Sequence, residues 1–286
     1  MKRIISMLLT GLLLTGCGVK STQSPATLPL ETTDNLQTQQ ETTATPEYTS
    51  RFHSVTEILL SDEGIQVNGN GETDSVFTSC DIIYYEDKET YASGNPYGEG
   101  RDWEQHEEAE AAAHTVVNIT KPGAYRVEGK LSAGQIRVDL GKDAEEDPNA
   151  VVELILDNAD ITCTVAPAIL FLNVYECDGD RDEENATPQV NTSAAGANLI
   201  LQGSSTVNGS HVAKIFKDKD EEKKLWKQDG AIYSYMSMNI FGPGSLILNA
   251  EHEGIDTELH LTVNGGIIVR NACGMMIQRI CWLWLI

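Results

Sequence analysis

Basic residues are scarce in this chain: 20 Lys and Arg stand against 43 Asp and Glu in 286 residues, a net charge of -23. That deficit excludes nucleic acid as a partner, because affinity there comes chiefly from cations neutralising phosphates. It also opposes unassisted binding of an anionic polymer, unless a cation such as Ca²⁺ bridges the two. Long apolar runs are missing too: the stretch Ile4 to Leu14 is well short of the about 20 residues a spanning helix needs. No CxxC or Cys/His metal spacing occurs, and the histidines His53, His106, His114, His211, His252 and His260 form no motif with Ser or Asp that would make a catalytic triad. A glycosidase needs only two carboxylates flanking the bond, and with so many acidic residues the sequence leaves that pair open.

What is present begins at the N-terminus. Lys2 and Arg3 precede the apolar stretch, and Leu14-Thr15-Gly16-Cys17 follows as a small-residue processing site ending in cysteine. This resembles a bacterial lipoprotein signal peptide over residues 1–16. The resemblance implies cleavage before Cys17, a diacylglyceryl group on its thiol, and a protein anchored in the cell membrane on the extracytoplasmic face. Residues 17–50 are rich in Thr, Ser, Gln and Pro and poor in large apolar side chains, so they read as a flexible tether. Of the other cysteines, Cys163 and Cys177 are the pair that adjacent repeats could bring together as a disulfide; buried free thiols are the alternative.

The domain reads as residues 51–272 and is all-β. Short alternating runs recur, separated by Gly, Asn and Asp: Thr115 to Ile119, Ala124 to Val127, Val151 to Leu156 and Asn198 to Leu201. The clearest section is Asp229 to Asn271, where one pattern occurs twice. Gly230 answers Gly254, 24 residues on, and Gly242 answers Gly265, 23 residues on. Met236, Met238 and Ile240, like Leu259, Leu261 and Val263, share a face only in a strand. Repeats of this length predict a solenoid whose strands stack into sheets.

Residues 81–114 interrupt the pattern with an insertion carrying Tyr84, Tyr85, Tyr91, Tyr97 and Trp103, followed by a helix-forming run from Glu104 to Ala113. Flat aromatic faces stack on sugar rings, so the five are a candidate carbohydrate platform; the competing role is to cap the core. Residues 217–227 form a charged excursion, either a short helix or a projecting hairpin. Residues 273–286 do not continue the array. Met275-Met276 admits only ATGATG, and an alternative frame there encodes Asp-Asp, so the tail is expected to be the frameshifted or truncated edge of a longer array.

The runs Gly123-Ala-Tyr-Arg-Val127, Leu154 to Thr162 with Pro167-Ala168-Ile169, and Asp229-Gly-Ala-Ile-Tyr-Ser234 through Gly266 resemble the bacterial carbohydrate-binding domain-containing protein family of surface lipoproteins. The resemblance implies a right-handed parallel β-helix similar to that of pectate lyases. It further implies binding of cellulose or acidic, pectin-like sugars such as polygalacturonate with calcium, and no established catalysis. It does not locate calcium ligands. In this sequence Asp229, Glu253, Asp256 and Glu258 lie at or near the ends of successive repeat strands, where stacking would gather carboxylates into a calcium site; as isolated residues they are solvated turn positions. Two other functions compete. A pectate-lyase-like enzyme would need a basic group beside the substrate, for which Arg126, Arg137 and Arg270 are the strand-borne candidates. A structural or adhesive stalk would show a uniformly charged face, whereas a row of aromatic and polar residues along one sheet would mark a binder.

Overall fold

The computed structural model describes residues 48–85, 105–178, 190–216 and 225–272. Cys17, the tether, Tyr91, Tyr97, Trp103 and the tail from residue 273 lie outside them. The described chain is nearly all β, with strands β1 (Val55–Ser61), β2 (Gly64–Val67), β3 (Val76–Ser79), β4 (Thr115–Ile119), β5 (Gly123–Leu131), β6 (Gly134–Asp139), β7 (Val152–Cys163), β8 (Ile169–Asn173) and β9 (Ala197–Gln202). There follow β10 (Ser204–Gly209), β11 (Val212–Phe216), β12 (Leu225–Gln228), β13 (Gly230–Ser234), β14 (Met238–Phe241), β15 (Ser245–Ala250), β16 (Glu253–Thr257), β17 (Leu261–Val263) and β18 (Ile267–Ala272). One helix, α1, is shorter than its propensity suggests and spans only Glu108–Ala112. The strands form a ten-stranded sheet, a six-stranded sheet and the β11–β12 pair, and β1–β2 and β3–β4 are antiparallel.

The last three groups of strands share one pairing rule. Strands β8, β13 and β16 pair in parallel, as do β9, β14 and β17, and β10, β15 and β18. Upstream, the long strands β5 and β7 serve two ladders each: residues 152–157 of β7 pair with β9, and residues 160–163 pair with β10. The register corrects the repeat seen in sequence by one residue. Gly230 lies beside Glu253 rather than Gly254, an offset of 23. Met238 likewise lies 23 residues from Leu261, and Ser245 lies 22 from Ile267, because the break between strands is shorter in the second copy. The correction matters because a one-residue slip turns every side chain to the opposite face.

Alternation along these strands sends Ile136, Leu154, Ile161, Phe171, Leu199, Val207, Ile232, Met238 and Leu248 into one continuous core. Between the two ladders of the large sheet, the chain turns at left-handed residues: Gly129, Asn158, Gly203, Gly242 and Gly266. Asn tolerates this conformation by local hydrogen bonding. At Gly242 (φ 99°) a Cβ would lie 2.2 Å from the Leu201 carbonyl oxygen of the neighbouring strand, so no side chain fits. Buried amides stack as well. The Asn239 side chain donates to Asn198 Oδ1 (3.0 Å) and to the Thr192 carbonyl (2.8 Å), which satisfies polar atoms that would otherwise be costly to bury.

A second, smaller core lies outside the large sheet. Ala124, Ile155 and Ile200 are covered by Tyr48 and Phe52, and the Tyr48 ring sits 4.7 Å from that of Phe241. The Glu153 carboxylate, fully buried, holds this N-terminal strap by accepting from Ser50 Oγ (2.5 Å) and the Arg51 backbone N–H (2.9 Å). Gly242→Ala is expected to lower stability by about 2 kcal/mol or more, from left-handed strain plus backbone displacement. Urea denaturation would measure it, and a loss below about 0.5 kcal/mol would contradict the close approach described.

Candidate functional site

Pairing of β13 with β16 gathers the acidic residues singled out from the sequence. Asp229 precedes β13, Glu253 opens β16, Asp256 lies opposite Tyr233, and Glu258 follows β16. Backbone bonds lock them in place: Glu253 N–H donates to the Asp229 carbonyl (2.9 Å) and Glu258 N–H to that of Ser234 (3.0 Å). Burial pushes the Asp256 carboxyl up to about 7, and the negative charges of Glu253, Asp229 and Glu258 add to the shift. Glu253 is raised by burial and by Asp229. Burial and a hydrogen bond donated to Glu258 raise the Tyr233 hydroxyl, and the Tyr233 ring packs edge-on against Tyr235 at 5.2 Å.

The carboxylates feel one another, yet they do not form a calcium cage. Among the described residues no three Asp, Glu, His or Cys side chains converge closely enough to share one ion. A calcium ion takes six to eight oxygens, so this arrangement does not fit one. The cation at hand is Lys227, whose Nζ is salt-bridged to Asp229 and whose pKa is raised by that bond and by the nearby charges of Asp256 and Glu253.

The aromatic insertion is placed in part. Tyr85 is 0% exposed and belongs to the core, and Tyr84 is half-buried against it, which is the capping role rather than an open platform. The excursion at 217–227 is flanked by β11 and β12, which pair antiparallel as hairpin arms. Cys163 and Cys177 are free thiols, and burial pushes them up to about 12 and about 11 respectively, so neither is a nucleophile at neutral pH.

The arginines considered for a lyase are engaged. Arg126 bonds Glu57 (3.1 Å), Arg137 bonds Asp81 (2.9 Å) and Asn118 (2.9 Å), and Arg270 donates to the His252 carbonyl. Ser237 and His260 approach to 3.4 Å, but the Ser237 hydroxyl donates to the buried Glu176 carboxylate at 2.8 Å. Its proton is therefore directed to Glu176 and not to the imidazole, the reverse of a nucleophile–base pair.

A different surface stands out that sequence reading missed. On β10, β15 and β18 the outward positions are Ser204, Thr206 and Asn208; Ser245, Ile247 and Asn249; and Ile267 and Val269. None is charged. Parallel register aligns them across strands: Ser204, Ser245 and Ile267 in one row, and Thr206, Ile247 and Val269 in the next. Asn249 donates to Asn208 Oδ1 (2.6 Å), Asn208 to Thr162 Oγ1 (2.9 Å), and Ser245 to Ser204 Oγ (3.0 Å), so the amide and hydroxyl rows hold one another rigid. Ile247, Ile267 and Val269 are 38%, 63% and 49% exposed, a contiguous apolar strip among neutral polar groups. Charge returns on the adjacent strand β7, where Asp160 lies beside Thr206 and pairs with Lys130 at 3.2 Å. The alternation that exposes these residues was visible in sequence; which face lay outward and what stood beside it required the register.

An all-β protein offering an uncharged strand face is the class defined by these observations. The family model described as "Carbohydrate-binding domain-containing protein" matches residues 113–278. The chain belongs to that family. A protein of the same description from Acetivibrio thermocellus is 30% identical over 157 residues, which span 54% of this chain and 45% of that relative. No solved structure matches the chain. Family membership supports a carbohydrate-binding role.

Because the folded state raises the Asp256 pKa above that of an unfolded aspartate, its contribution to stability is greatest below about pH 4 and is lost as pH rises through about 7. Asp256→Asn is therefore expected to have a melting temperature that gains on wild type between pH 5 and 8, by a few degrees at the upper end. Thermal unfolding across that range checks it; a constant difference would contradict the upward shift that burial and the neighbouring carboxylates give Asp256.

Proposed function

We propose that this chain is a surface lipoprotein, anchored through Cys17 and its tether, that binds a neutral polysaccharide such as cellulose on the outer face of β10, β15 and β18 and does not cleave it. In this reading the parallel ladders are successive coils of a right-handed parallel β-helix. The observation that carries it is the absence of charge from that face in a chain of net charge -23. A hydroxyl-rich, uncharged polymer meets no electrostatic penalty there. Exposed Ile247, Ile267 and Val269 suit the apolar faces of sugar rings, and the aligned Ser, Thr and Asn side chains suit their hydroxyls.

Acidic, pectin-like sugars are the less favoured ligands, since a polyanion approaching so acidic a protein needs a bridging cation and the carboxylate cluster does not form a cage for one. A lyase is disfavoured because its candidate bases, Arg126, Arg137 and Arg270, are already bonded. A stalk is disfavoured because the face is not uniformly charged.

Retention on microcrystalline cellulose is the expected outcome for the wild-type chain. The double variant Ile247→Asp/Val269→Asp is expected to weaken it about tenfold or more, equivalent to about 1.4 kcal/mol. Equal retention of the two proteins, or retention on polygalacturonate alone, would overturn the reading; formation of unsaturated uronate products would revive the lyase.

A further inference from the structure

The outer face of β10, β15 and β18 has a direction as well as a composition. Unshifted pairing sets Ser204, Ser245 and Ile267 in one line, Thr206, Ile247 and Val269 in a second, and Asn208 and Asn249 in a third. All three lines cross the strands. The middle line presents β-branched side chains throughout, with Ile247 and Val269 exposed. On one side of it lie hydroxyls, where Ser245 donates to Ser204 at 3.0 Å before Ile267 ends the line. On the other side lie amides, where Asn249 donates to Asn208 at 2.6 Å and Asn208 to Thr162 at 2.9 Å. Along the strands there is no such order: the outward Ser204, Thr206 and Asn208 of β10 are all polar, while Ile267 and Val269 of β18 are both apolar.

We propose, resting on the reading of this face as a polysaccharide site, that the ligand is an extended, neutral β-1,4-linked chain that crosses the strands, one sugar unit to a strand, with its ring faces on the Thr206, Ile247 and Val269 line. Neighbouring strands lie about 4.8 Å apart. That spacing is close to the length of one sugar in an extended β-1,4-linked chain, so successive rings meet equivalent side chains. Such a chain is a ribbon with C–H groups on its faces and hydroxyls along both edges. Its faces match the middle line, and the flanking lines, each about 6.6 Å away, lie under its edges. An Asn side chain has two donors and two acceptor lone pairs, so an amide held in the ladder keeps capacity for a sugar hydroxyl. The middle line stops being neutral at β7, where Asp160 stands beside Thr206 and pairs with Lys130. An α-1,4-linked chain coils, and its rings do not stay over one straight line.

Amide NMR of the full chain with cellotetraose carrying a nitroxide at its reducing end tests the direction. The expected result is loss of signal concentrated on the outer strands, β10, β18 or both, with less at β15. Maltotetraose with the same tag is expected to bleach none of the three. Bleaching of Ser204, Ser245 and Ile267 together, or of Asn208 and Asn249 together, with the opposite strand ends spared, would overturn the proposal while leaving the face a polysaccharide site. Equal bleaching by the maltotetraose probe would overturn it as well. Absence of bleaching on this face with cellotetraose would remove the polysaccharide reading of the face, and the proposal with it.

Discussion

Parallel, in-register pairing governs this molecule. Each strand of one group lies about 4.8 Å from its counterpart in the next, so equivalent positions place their side chains almost on top of one another. Neutral amides and hydroxyls gain from that closeness, as the Asn198–Asn239 and Asn208–Asn249 contacts show. Like charges lose by it. At the β13–β16 edge the register sets Glu253 beside Gly230 and Asp256 beside Tyr233, and burial, with the charges of Glu253 and Asp229 added, pushes the Asp256 carboxyl up to about 7. The in-register rule thus accounts for the uncharged face, where neutral side chains stack, and no two carboxylates of the acidic edge are set opposite one another.

The same rule explains what could be read from the sequence. Alternating runs such as Met236 to Ile240 and Leu259 to Val263 identified strands, and the acidic residues at their ends were correctly brought to one edge by β13 and β16. Register was less accessible: matching glycine to glycine set Gly230 against Gly254, while the hydrogen bonds set it against Glu253. Glycines at corners follow the local turn, whose length varies, whereas the ladder follows the side chains inside. The outward face was hidden for a related reason. Ser204, Thr206 and Asn208 carry no motif individually, and their significance comes from Ser245, Ile247 and Asn249 about 40 residues later in the chain.

Composition left two features open. Aromatics in the insertion suited either a sugar platform or a cap on the core, and Tyr85 is part of the core while Tyr91, Tyr97 and Trp103 lie outside the described residues. Acidic residues suggested a metal, and one of them, Asp229, is bonded by Lys227, contributed by an excursion whose position no periodicity could assign. Exposed aliphatic side chains on a neutral sheet were the more telling feature, because burial is what such residues ordinarily find.

Hydrogen exchange on the chain with a soluble neutral probe, cellohexaose, compared with oligogalacturonate, tests the central claim most directly. The account predicts added protection in β10, β15 and β18 with cellohexaose and no protection there with oligogalacturonate. Protection centred instead on Tyr84 and Tyr85, or on β16 with the acidic probe, would contradict it.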